Sequence, residues 1–580
     1  MSNGDSPKGN GKFCQKCNGI RGIGVNNVGG LAVAQPYSVA DNLWGAVRQD
    51  YRATVGQPPR LKPEWASTMQ NRRDFITTAS LGALGLSASR LWPGAAVAAE
   101  PASVILAYSG DVPSWDPGAN SSVQALPIHK SVFDTALELS PGLKVVPGVV
   151  TAHRWLDTEG KILELTVREG VTFHNGDKLT SDDIKFSFYD RPQSDEKLLV
   201  SATWRSTVAG IETPSPIKAI FHFNAPFVAS IPQLLNIAGF VMPKRYFETV
   251  GQQGFIDKPV GSGPYRLVDY QRDSRIVLEA YDKYWGGPAP FKRVTFQIIK
   301  EPNARVAAIQ SGQVDFTYNI PLREATRLGT LPGLVANEHP TTATVLMHMA
   351  NNGIYQDKNV RLAMHHAIDK QALSTAFYNG KAIPQSMFSA KGLNGNNPDL
   401  TFPYDPAKAK ALLAQSGYSK DKPAKITLGT TSGSFTGDYD VARAIVQMWQ
   451  EVGIEAELRV MPIDQFYDLS RSGKLDHPMI VLWINAAGDP EVVTGLILDP
   501  KKRFSVWKSD DIPPRLDPLL NEVDDDKRYA GFAKFDTWAV EQGYEVALYQ
   551  LPATAVYAKR VGYVPFLNGW TLPYHWTVAS

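Results

Sequence analysis

Several short stretches of this 580-residue chain carry side chains suited to chemistry. Cys14 and Cys17 form a single C-x-x-C, a spacing that suits a redox pair or half of a zinc site. A structural zinc needs four ligands, and no second pair follows. His365 and His366 are adjacent, so on a helix they diverge by about 100° and are poorly placed to share a metal. His174 lies in F-H-N-G-D, a strand-to-turn sequence where a structural imidazole is expected. Asp524, Asp525 and Asp526 precede Lys527 and Arg528, a solvated pattern that favours the positive end of a helix. Gly261 and Gly263 superficially suggest a phosphate cradle, but a third glycine is missing and Pro264 removes an amide, so a tight turn is expected. The chain has no G-x-S-x-G elbow, H-E-x-x-H, Walker loop or dinucleotide fingerprint. The expectation is a chain that is not an enzyme and needs no cofactor.

The elements that must position any site alternate between strand and helix. G-K-I-L-E-L-T-V-R-E-G sets Ile162, Glu164 and Thr166 against Leu163, Leu165 and Val167, a half-buried strand. Asp357 is placed to cap a helix over D-K-N-V-R-L-A-M-H-H-A-I-D-K-Q-A-L, with Val360, Met364, Ala367 and Ile368 on one face. Asp405-Pro406 opens another helix, and a third over D-Y-D-V-A-R-A-I-V-Q-M-W-Q-E-V closes at Gly453 before the strand I-E-A-E-L-R-V. This order predicts an α/β architecture. A single core rarely grows past about 250–300 residues, so two or three lobes are expected. The first 99 residues are net +6 and the rest net −4, and a mildly acidic body makes nucleic acid an improbable partner.

From Met69, M-Q-N-R-R-D-F-I-T-T-A-S-L-G-A-L-G-L has the parts of an export signal: Arg72-Arg73, a weakly apolar stretch, and small residues at Ala96-Val97-Ala98. Arg72, Arg73 and Phe75 resemble the twin-arginine motif R-R-x-F-L/I. Residues 69–99 are therefore expected to be a signal peptide, and 1–68 a non-native or disordered extension ahead of the true initiator. No cysteine follows, so a soluble, periplasmic mature protein without a lipid anchor is expected.

Four stretches in register resemble the peptide/nickel-type (family 5) solute-binding proteins of ABC importers. They are Val145–Phe188 (V-V-P-G-V-V-T-A-H-R-W … V-T-F-H-N-G-D-K-L-T-S-D-D-I), Pro259–Phe316, Asn359–Lys370, and V-G-I-E-A-E-L with W-I-N-A-A-G-D-P. The resemblance runs from about residue 101 to 560. It implies a periplasmic binding protein type II-like fold, with two hinged lobes and an extra inserted subdomain. Lobe I is expected over 101–130, 258–342 and 548–580, the inserted subdomain over 131–257, and lobe II over 343–547. It also implies capture of a small solute (peptide, opine, oligosaccharide or metal chelate) by a monomer that serves an ABC permease and ATPase. Two alternatives are an exported hydrolase and a chemoreceptor-coupled sensor on the same fold.

Family peptide binders carry an acidic residue three positions after a Trp, and it holds the ligand's α-ammonium. Here Trp483, Gly488, Asp489 and Pro490 match that segment, but the anchoring position is Ala486. Losing one partner of a buried charge pair costs about 3–5 kcal/mol, against the roughly 8 kcal/mol that a micromolar binder has in all. Ordinary peptide capture should therefore be lost unless another acid substitutes. Phe435, Asp438 and Tyr439 lie in the loop expected to line the cleft, and Asp438 is either the substitute acid or a helix cap. Trp483, Asn485, Ala486, Asp489 and Tyr108 complete the candidate ligand contacts. Trp115 and Trp204 are further aromatic candidates.

Overall fold

Strands form where apolar and polar residues alternate, because successive side chains face opposite sides. In the N-terminal half these are β1 (Ser103–Tyr108), β2 (Val150–Trp155), β3 (Ile162–Val167), β4 (Val208–Ser215), β5 (Lys218–Phe223), β6 (Tyr265–Gln271), β7 (Arg275–Ala280), β8 (Arg293–Ile298) and β9 (Phe316–Tyr318). In the C-terminal half they are β10 (Leu334–His348), β11 (Ala424–Thr430), β12 (Ile454–Val460), β13 (Met479–Ile484) and β14 (Val546–Ala558). Five shorter strands among the described residues, Leu137–Leu139, Val145–Pro147, Ile383–Pro384, Val561–Gly562 and Thr577–Val578, are named by their residues. The computed structural model describes residues 102–119, 124–195, 198, 201–228, 231–505 and 507–579. Cys14, Cys17, the Arg72, Arg73 and Phe75 motif and the expected N-terminal extension lie outside the described residues.

The main sheet runs β12-β11-β13-β10-β14-β9-β1-β8-β7-β6, with the short strand Ile383–Pro384 pairing beside β14. The long strands β10 and β14 pair antiparallel at its centre and join its two ends. Their register is interrupted between Pro340 and Thr344, where Pro340 faces Pro552. Proline has no N–H to give a ladder, so two facing prolines interrupt the pairing. A separate four-stranded sheet runs β2-β3-β5-β4. In β3, Leu163, Leu165 and Val167 are buried and the alternate residues are half-exposed, as the pattern predicts.

The apolar side chains gather into three principal cores. The first contains Val104, Leu106, Tyr108, Trp115, Phe296, Phe316 and Trp570. The second contains Val345, Met364, Ile445, Trp449, Trp483, Phe532 and Tyr549. The third packs the four-stranded sheet through Leu165, Phe173, Trp204 and Phe221. Trp115 and Trp204 are therefore core residues, 3% and 2% exposed.

Helix ends follow the expected signals, with one difference after Asp357. Thr180 caps α1 (Ser181–Lys185), its amide donating to the Asp183 carboxylate at 2.8 Å, but the helix then widens into a π turn over Phe186–Asp190. The single helix expected after Asp357 is two: α2 (Lys358–His366) and α3 (Lys370–Tyr378). Asp369 accepts from the Ala372 amide at 2.8 Å and restarts the chain, a short acid competing for backbone donors where a helix interior would need none. α4 (Pro406–Gln415), α5 (Asp438–Val452) and α6 (Asp525–Gln542) complete the elements used below. Among the described residues, no helix is long and apolar enough to cross a membrane.

Candidate functional site

The segment Trp483–Pro490 leaves the end of β13 and runs between the second core and the first. Trp483 is 2% exposed and packs edge-on to Phe504, with ring centroids 5.8 Å apart. Asn485 works within its own turn: its Oδ1 accepts from the Gly488 amide at 2.8 Å and its Nδ2 donates to the Asp489 carbonyl at 2.8 Å. Between these, Ile484 stands 37% exposed opposite Ala343 of β10. Ala486 is half-buried against the first core, and its carbonyl accepts from Asn568 Nδ2 at 2.9 Å. Gly488 has φ 75°, and a Cβ there would stand 2.7 Å from Leu143 Cβ, so glycine permits this close approach.

Asp489 is committed inside the fold. Its oxygens accept from Arg528 Nη2 at 2.6 Å and Nη1 at 3.1 Å, with Asp489 1% and Arg528 0% exposed. Arg528 also meets Asp525 at 3.3 Å. Burial works against the Arg528 charge, but the Asp489 carboxylate overcomes it and raises the guanidinium above its ordinary value.

Asp438 opens α5 and is 3% exposed. Its Oδ1 accepts from the amides of Gly433 at 3.0 Å and Tyr439 at 2.8 Å. Its Oδ2 accepts from the Ser434 amide at 2.8 Å and Thr431 Oγ1 at 2.7 Å. A carboxylate has about four lone-pair sites, so this one has none left for a ligand ammonium. Burial pushes its pKa up, but these four donors outweigh it and hold the carboxyl below its usual range. Asp438 therefore organises the 431–439 loop rather than replacing the acid missing at Ala486. The helix cap itself is Gly437, at φ 80°.

The aromatic candidates divide. Phe435 is half-buried against the second core, and Tyr439 is 38% exposed with the Arg443 guanidinium 5.7 Å from its ring. Tyr108, by contrast, is 2% exposed in the first core, edge-on to Phe296 at 5.3 Å and 4.9 Å from Tyr318. Burial raises its hydroxyl well above the ordinary value. Ile484 and Ala343 thus face each other across β13 and β10, and Ala486, two residues on, packs against the core that holds Tyr108.

Other residues considered for chemistry are structural. His174 Nε2 donates to the Gly263 carbonyl at 3.0 Å, and its Nδ1 accepts from the Gly261 amide at 3.3 Å. Burial pushes its pKa down to about 4. Gly261 and Gly263 lie against the Val132 carbonyl group, where any side chain would collide, so they serve close packing. His365 and His366 both stack on Phe402, at centroid distances of 3.6 and 4.1 Å. Asp524 caps α6 by accepting from the Lys527 amide at 3.1 Å. Among the described residues, no group of three or more His, Cys, Asp or Glu is arranged to hold a metal.

Sequence reasoning missed Arg528 and Asn568. Arg528 sits in a run of charges that reads as a solvated helix start, yet it is the most deeply buried cation at the site. Nothing in F-L-N-G-W marks Asn568 as the partner of a loop 82 positions away in sequence.

The fold is that of a periplasmic binding protein of type II, with two lobes and an inserted subdomain. HbpA2 from Haemophilus parasuis superimposes with a TM-score of 0.74 at 20% identity, covering 82% of this chain and 100% of that one. The family model described as bacterial extracellular solute-binding proteins, family 5 Middle, matches residues 144–504. The chain is 26% identical over 402 residues to the glutathione-binding protein GsiB of Salmonella paratyphi A, covering 67% of this chain and 75% of that protein. It is 24% identical over 446 residues to the dipeptide-binding protein of Escherichia coli K12, covering 70% and 80%. The chain belongs to the bacterial extracellular solute-binding proteins, family 5.

Proposed function

We propose that this chain is the cargo receptor of an ABC importer, working in the periplasm, and that its cargo carries no free α-ammonium at the 486 position. It takes a small peptide-like or other polar solute between its lobes and delivers it, unaltered, to the permease and ATPase. Relatives named for glutathione and dipeptides support the solute class. One observation carries the narrower reading: the two candidate acids, Asp489 and Asp438, are already committed inside the fold. Asp489 is paired with Arg528, Asp438 accepts four internal hydrogen bonds, and residue 486 is an alanine whose carbonyl is taken by Asn568. The apolar residues that remain (Ile484, Ala343, Ala486) suit an apolar or capped end of a ligand. On this reading β10 and β14, which pair at the centre of the main sheet, are the hinge strands.

A thermal-shift panel tests this, with isothermal calorimetry on each hit. Free-amine and N-acetylated versions of the same tripeptides are compared on the native chain and on Ala486→Asp. At about 100 times Kd a true ligand stabilises the fold by roughly 2.7 kcal/mol. N-blocked ligands should be preferred by the native chain. Free-amine tripeptides that bind the native chain tightly, with no gain in Ala486→Asp, refute the reading.

A further inference from the structure

Two turns from the chain between Leu137 and Val167 reach across to the second lobe. The first is the 140–144 turn, which joins the paired strands Leu137–Leu139 and Val145–Pro147. Leu143 sits there at φ 59°, an unusual conformation for a bulky residue, yet it is only 1% exposed. It is the residue that Gly488 approaches, and the neighbouring Pro141 carbonyl accepts from the Leu567 amide at 3.0 Å. Strain of this kind persists only where surrounding contacts enforce it.

The second is the β2–β3 turn. Asp157 stiffens it by accepting from the amides of Lys161 at 3.1 Å and Ile162 at 3.2 Å. Gly160 has φ 70°, and a Cβ there would collide with Val228 and stand 3.8 Å from Val523 Cγ1, on the loop before α6.

The two contact points are joined inside the second lobe. Gly488 precedes Asp489, Asp489 is paired with Arg528, and Arg528 reaches Asp525, two residues after Val523. We propose that these two turns form a clamp that closes on the second lobe, and that the Asp489–Arg528–Asp525 chain, buried at its first two members, ties both jaws to the Trp483–Pro490 loop. The inserted subdomain is then a working part of closure, holding the cargo-side loop from two ends. The clamp stands on this geometry and not on the identity of the cargo.

The test uses the full chain with Cys14→Ser and Cys17→Ser, which leaves no other cysteine. Nitroxides on Thr158→Cys and Asp526→Cys, both exposed positions, report the gap by double electron–electron resonance. The otherwise native chain should give one narrow, short distance. Val523→Asp sets a carboxylate against the Asp157–Gly160 turn and should move most of the population to a longer, broader distribution. Leu143→Gly relieves the strained backbone and removes the other jaw's side chain, and it should weaken the short-distance population with circular dichroism unchanged. A broad native distribution, or distances unaltered in both variants, overturns the clamp. No arm contains cargo, so such a result leaves the cargo reading standing, and a failure of the peptide panel leaves the clamp standing.

Discussion

Replacing Arg528 with Met removes the cation from a pair in which Asp489 is 1% exposed and Arg528 is 0% exposed. Two hydrogen bonds to Asp489, at 2.6 and 3.1 Å, disappear, and the carboxylate keeps only the Glu491 amide at 3.0 Å and the distant Tyr529 hydroxyl at 3.4 Å. Breaking a buried pair from one side costs about 3–5 kcal/mol, because a charge is left without compensation. The bond to Asp525 adds little, since that side chain is 53% exposed and screened by water. For a cooperative unit of roughly 200 residues, each kcal/mol moves Tm by about 2–4 °C, so the expected fall is about 6–20 °C. A double-mutant cycle with Asp489→Asn separates pairing from packing. The double variant should be less damaged than the two single losses together, by more than about 1 kcal/mol. Calorimetric unfolding of the four proteins measures this. A fall in Tm under about 2 °C, or single losses that add within about 0.5 kcal/mol, would show that the ion pair does not hold the loop.

Three other outcomes follow from buried groups. Asp438→Asn turns an acceptor toward two donors and orphans them, which at about 1–3 kcal/mol each should lower stability more than it lowers affinity for any bound solute. Urea unfolding alongside calorimetry distinguishes the two, and an affinity loss at unchanged stability would return Asp438 to the role of ligand acid. Lys370 is pushed down to about 7 by burial, with His365 Nε2 at 2.8 Å and the Gln385 carbonyl at 2.6 Å as partners. The folded state therefore holds this amine neutral between about 7 and the ordinary lysine value of 10.5, so the cost to stability is complete below about 7 and fades as pH rises to 10.5. Lys370→Met should remove this rise in stability across that window, and pH-dependent urea midpoints read it. Asp536 and Glu545 are both buried, and burial raises both, Asp536 to about 8. Their contribution is fully present below about 3.8, declines as pH rises, and is gone above about 8. Asp536→Asn should flatten that decline, and a slope as steep as the native one would show that burial of Asp536 does not set it.

Much of the local structure was legible in the residues themselves. The alternation in Ile162–Val167, the Asp405-Pro406 helix start and the glycines that end helices all act over a few neighbouring residues, so the chain announces them without its fold. The family was legible for a related reason: ordered motifs from about residue 101 to 560 are the residue trace of a shared framework. The break between α2 and α3 was not, because Val360, Met364 and Ile368 keep one apolar face across it, while the Asp369 side chain decides the restart.

The site divides the same way. Sequence alone determined that position 486 lacks a carboxylate, that Asp438 was the acid offered to replace it, and that Asp489 lay three residues further on. Only the tertiary structure decided that neither is free. Asp489 meets an arginine 39 positions away, and Ala486 meets an asparagine 82 positions away. The physical reason is that a carboxylate's availability depends on where its lone pairs point and on what the fold has buried beside them. That is a property of chain segments brought together from far apart, and no local pattern of residues carries it.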